Sequence, residues 1–184
     1  MTKSPFPVPA AAQSTREPRA FAHLAPLLVT AEPPALDVGG RAFLAAKTGD
    51  HVAAMVRGLV DHTIALQNRR ALESGNRQPM QISVLNRRRR CARAWIQSIV
   101  SGDVDRATLH SVANHWLPTL AGNVADRRSM LRQVASCFEY VRGALSGLIF
   151  DAPAENLLGH ARALHVLETV LGLHLAAVQT VLRG

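Results

Sequence analysis

An all-α domain, a bundle of five to six helices, is what this sequence predicts, and three observations carry it. Aromatic residues make up 4% of the chain although 48% is hydrophobic. Leu, Val and Ala must therefore fill the core, and Ala and Leu are strong helix formers. Apolar residues recur at spacings of three and four, and almost nowhere alternate with period two. Gly, Asp and Pro fall between the periodic stretches, where helices stop and start. The 184 residues suffice for one domain with a core.

Taken in order, the chain opens on a Pro-rich stretch. Residues 1–34 hold Pro5, Pro7, Pro9, Pro18, Pro26, Pro33 and Pro34, seven of the ten prolines. Proline removes a backbone donor and halts helices, so a flexible arm is expected over 1–34 and a single helical domain over 35–184. Phe21 to Leu28 could dock on that domain. A short first helix is expected over Leu36–Lys47, weakened by Gly39 and Gly40. Asp50 is expected to cap a second helix running to Ser74, closed by Gly75-Asn76. A third helix is expected over Met80–Val100, with Ile82, Leu85, Ala92, Trp95, Ile96 and Ile99 as its apolar stripe.

Ser101-Gly102-Asp103 reads as a stop signal. Asp103 or Asp105 is then expected to cap a helix carrying Leu109, Val112, Ala113, Trp116, Leu117 and Leu120, with Pro118 kinking or breaking it. Asn123 is expected to cap a long helix over Val124–Phe150. Asp151-Ala152-Pro153 opens the last helix, which runs to Leu182.

Charge is concentrated. From Arg69 to Arg93 there are eight arginines against one acid, Glu73, nearly the whole excess of a chain whose net charge is +8. Arg87, Arg88, Arg89, Arg90 and Arg93 are the candidate anion-binding residues, for a protein partner, an anionic membrane or weak, non-specific nucleic-acid binding. Arg87 to Arg90 span more than one helical turn. At least one of them must lie near the core edge, its stem packed and its guanidinium reaching water or a carboxylate.

Cys91 and Cys137 have no metal-ligand spacing, and free thiols fit a reducing cytoplasm. No unbroken apolar run reaches the ~18 residues of a membrane span. HExxH, CxxC and phosphate-cradling glycine loops are missing from the sequence, and no acid–histidine–nucleophile set can be picked out, so no enzyme is expected. His110 and His115 are five residues apart, a spacing that puts them on different helix faces and argues against a paired metal site. His165 is expected to pair with Glu168 or Thr169.

The stretch Trp95 to Asp105, followed ten residues later by His115, resembles the globin-sensor family and the related protoglobins. There an aromatic-bearing helix ends in a Gly-Asp-containing turn, a helix with the proximal histidine follows, and two long helices complete the domain. The resemblance covers about residues 50–182. It implies a globin-like sensory or regulatory domain acting through a protein partner, with haem as the candidate cofactor. His115 would be the iron ligand, Val112, Trp116 and Leu120 the near wall, and Phe138 and Val141 the wall from the next helix. Some relatives with this fold have lost haem and serve as signalling modules. The alternative is accordingly a cofactor-free adaptor or dimerisation module, pairing as a homodimer through its C-terminal helices.

Overall fold

The computed structural model describes residues 35–75, 80–122, 126–151 and 156–183, and among these every regular element is helical. The expected arm over 1–34 lies outside them. Helix α1 spans Val38–Thr48, α2 Val52–Ser74, α3 Ile82–Ser101, α4 Arg106–Ser111, α5 Leu117–Ala121, α6 Arg127–Phe150 and α7 Leu157–Arg183. A 3₁₀ turn, Gly49–His51, joins α1 to α2, and a π turn, Val112–Trp116, joins α4 to α5. Five helices are long, and α4 to α5 form one broken helix.

Several caps follow sequence chemistry. The Asp37 carboxylate accepts from the Gly40 amide, and that of Asp105 accepts from Thr108 at 2.9 Å. Asp126 accepts from Ser129 at 2.8 Å. Each satisfies an amide that the first turn leaves without a partner. Gly102 closes α3 at φ 69°, a left-handed conformation natural to glycine. Its amide donates to Ile99 O and that of Asp103 to Ser98 O at 2.8 Å, the paired bonds of a Schellman motif.

Other expectations are corrected. Asp50 caps nothing: Gly49 is already right-handed helical and the chain turns through 3₁₀ geometry into α2. Helix α6 begins at Arg127 with Asp126 as its cap, while the proposed cap Asn123 and the helix start at Val124 lie outside the described residues, as does Pro153. Glu168 bonds Arg142 of α6 at 2.7 Å, not His165. Thr169 donates to the His165 carbonyl, not its ring. Helix α7 is long and apolar enough to cross a membrane by length and composition alone, with mean hydropathy 1.3 over Leu157–Leu182. The rule of an unbroken apolar run overlooked it because His, Arg and Glu interrupt the leucines.

In the fold α7 serves as a core helix. Ala163, Val166, Leu167, Val170, Leu171, Ala177 and Val178 are buried, facing α1, α6 and the broken helix. Helices α1 and α7 meet at Gly40, where an added Cβ would stand 2.7 Å from the Arg162 carbonyl oxygen. The glycine that weakens α1 as a helix is thus what lets it lie against α7. Helix α2 packs on α3 and α6, and α3 also packs on the broken helix. One continuous core results, centred on Trp95, Leu59, Leu117, Leu120, Leu145 and Leu167.

Candidate functional site

The turn region singled out by the sequence is built around a histidine that the sequence did not mark. His174, on α7, is fully buried. The Trp95 indole Nε1–H of α3 donates to its Nδ1 at 3.3 Å. Indole nitrogen is a donor only, so Nδ1 must be the bare nitrogen. The Nε2–H then donates to the Asp103 carbonyl at 3.2 Å, and this chain of bonds fixes the tautomer. Burial pushes the imidazole down to about 4 from its ordinary 6.5, against a smaller upward pull from the Asp103 carbonyl. His174 therefore stays neutral and ties α3, the Gly102–Asp103 turn and α7 together. Its only signal in the sequence is its place in the apolar stripe of α7 between Leu171 and Val178.

The proposed haem residues divide between core and surface. Val112, Leu120 and Val141 are fully buried, Phe138 nearly so, and Trp116 packs against the same core. Trp95 is fully buried in the same core, its ring meeting that of Phe138 edge-on with centroids 5.0 Å apart. His115 is exposed. A proximal imidazole has to project into the apolar slot that holds the macrocycle. So arranged, these residues do not fit a haem ligated by His115.

What His115 does meet is His110. The two exposed rings lie 5.8 Å apart between centroids at 64°. The expectation that they occupy different faces is overturned by the π turn, where the Leu117 amide donates to Val112 O, five residues back. The wider turn brings round to one face side chains that a regular helix would separate. Pro118 at the start of α5 supplies a reason for the irregularity, because its missing N–H removes a bond that a continuous α-helix would need.

The arginine run also divides. Arg87, Arg89, Arg90 and Arg93 are exposed on α3 and form no ion pair among the described residues. Arg88 is buried, and its Nε and Nη1 reach neither carboxylate nor any other partner among the described residues. Arg88 is thus the member of the run that lies at the core, and only its Nε and Nη1 are sealed there without a partner among the described residues. Burial lowers its pKa, partly offset by Cys137 alongside. The Cys137 thiol is in turn pushed up to about 12 by burial and stays protonated and unreactive.

One further pairing escaped the sequence. His62 Nε2 and Ser136 Oγ are 2.7 Å apart across α2 and α6, with the His62 ring stacked on Tyr140 at 5.2 Å. A serine–histidine pair alone is not a hydrolytic centre. The pair sits mid-helix, where neighbouring backbone amides are committed to the helix and cannot form an oxyanion hole. The contact reads as a polar clasp between two helices.

Among the described residues, no group of three or more His, Cys, Asp or Glu side chains converges to hold a metal. No protein-family model, no curated protein and no solved structure matches this chain.

Proposed function

We propose that this chain is a regulatory helical module of globin-like plan that works by protein contact, pairing with a second copy along α6 and α7, without haem on His115. The observation that carries the reading is three exposed glycines inside the two long helices. Gly143 and Gly147 lie on α6 and Gly172 on α7. An added Cβ at any of them would meet nothing within 4 Å. Glycine in a helix interior costs about 1 kcal/mol relative to alanine. Nothing among the described residues of the monomer requires that cost here, whereas close approach of another helix would. The same side of α6 presents Phe150, 65% exposed, and the Arg142–Glu168 bond fixes α6 against α7 beside Gly143.

Sedimentation velocity tests the reading. The full chain should run as a dimer at tens of micromolar, and Gly147→Arg should run as a monomer with unchanged helical circular dichroism. A wild-type monomer at that concentration would sink the proposal. Supplying haem during expression separates the forms: a Soret band lost in His115→Ala would restore the haem-binding form of the reading. A second reading, polyanion binding, is favoured by the exposed, unpaired Arg87, Arg89, Arg90 and Arg93. Exposed guanidinium groups free of carboxylates retain their full attraction for phosphate.

A further inference from the structure

We infer that His110 and His115 together form a two-imidazole binding site for a divalent transition-metal ion of the Zn²⁺ and Cu²⁺ class, built by the π turn. Side chains five residues apart on a regular α-helix are separated by about 140° around the axis. Here the turn from Val112 to Trp116 is widened, and the rings lie 5.8 Å apart between centroids. Both are exposed, so an ion has access and the rings have room to turn their nitrogens onto it at the ~2.0–2.1 Å that Zn–imidazole bonds require. Asn114 Nδ2 donates to the His110 carbonyl at 3.1 Å, bracing the backbone between the two ligands.

The molecule carries its own control for this geometry. His160 and His165 have the same spacing on α7, a regular helix. There His160 is buried while His165 is exposed, so the pair is split between two faces. Spacing alone does not make the site; the π turn does. π turns are rare and gather at functional sites, and this one is what brings the two imidazoles together. No third His, Cys, Asp or Glu converges on the pair among the described residues, so the remaining coordination positions belong to water or to a donor from another molecule. Imidazole nitrogen selects borderline metals over Mg²⁺ and Ca²⁺.

The site is independent of the pairing face on α6 and α7, and its test does not depend on oligomeric state. Untagged full-length protein is titrated calorimetrically with Zn²⁺, Cu²⁺ and Mg²⁺. One Zn²⁺ should bind per chain, Cu²⁺ more tightly, and Mg²⁺ not measurably. His110→Ala and His115→Ala should each weaken Zn²⁺ binding roughly tenfold or more, since each removes one of two protein ligands. His165→Ala should bind as wild type does. Helical circular dichroism verifies that the variants fold, which the exposure of both rings favours. Failure of the wild type to bind Zn²⁺ or Cu²⁺ overturns the inference. So does Zn²⁺ binding that is unchanged in both alanine variants.

Discussion

His110 and His115 stand on the broken helix and His174 on α7, which packs against it, and the two have opposite characters. His174 is sealed between α3 and α7, with both ring nitrogens committed, and burial pushes it down to about 4. His110 and His115 stand in solvent, their rings facing each other 5.8 Å apart between centroids. The difference teaches that burial, and not residue type, assigns the work. A buried imidazole with one fixed tautomer is a structural joint, whereas an exposed pair keeps nitrogen lone pairs available to a ligand.

The sharpest way to break the comparison is to remove the joint. His174→Ala leaves the Trp95 indole N–H and the Asp103 carbonyl unpaired around a cavity, so a loss of about 3–5 kcal/mol is expected in urea unfolding. A loss under 1 kcal/mol would show that the Trp95–His174–Asp103 chain is not a structural joint.

Acidification should disturb the same joint without a mutation. The folded-state pKa, about 4, lies below the ordinary 6.5, so between those values the unfolded chain binds the extra proton. The contribution is fully present above pH 6.5 and is lost as pH falls towards 4, by about 3 kcal/mol in all. Urea midpoints measured from pH 7 to pH 4 should fall accordingly. The His174→Gln variant, which has no titrating ring there, should show a shallower fall. Equal slopes in the two proteins would refute the linkage.

The smallest effect belongs to the exposed pair. His110→Ala and His115→Ala should each change stability by no more than ~0.5 kcal/mol in the absence of metal, as surface substitutions usually do. A loss above 1 kcal/mol at either would show that the pair supports the π turn itself and is not held there for a ligand.

Much of the architecture was legible in the chain because helices announce themselves locally. The stripe from Ala92 to Ile99, the Gly102 stop and the Asp105 cap all rest on interactions within a few residues, and the structure keeps them, whereas Ile82, expected at the head of that stripe, is exposed. Asp50 misled because a capping residue is recognised by its chemistry, whereas the backbone there is already helical from Gly49 and leaves no extended residue to act as a cap. Of the candidate site, Val112, Leu120, Phe138 and Val141 are buried, as apolar residues at helical spacing are wherever a helix has a core face. The outward turn of His115 was not legible, because Pro118 marks a break in the helix without saying that the turn before it, Val112–Trp116, widens to π geometry.

By itself, then, the sequence determined the helical class, the glycine stops at Gly75 and Gly102, the basic character of α3 and most of the apolar positions of the long helices. These depend on propensity, period and capping, which act over one or two turns. Only the tertiary structure decided which polar groups went inside. That Arg88 is buried while Arg87, Arg89 and Arg90 are not, and that His174 meets Trp95 across 79 positions of sequence, follows from how whole helices pack. So does the meeting of His110 with His115, which required a turn wider than the repeat from which the sequence is read. The physical reason is that a local pattern fixes a side chain's angle around its own helix. What stands opposite is set by the packing of helices distant in sequence.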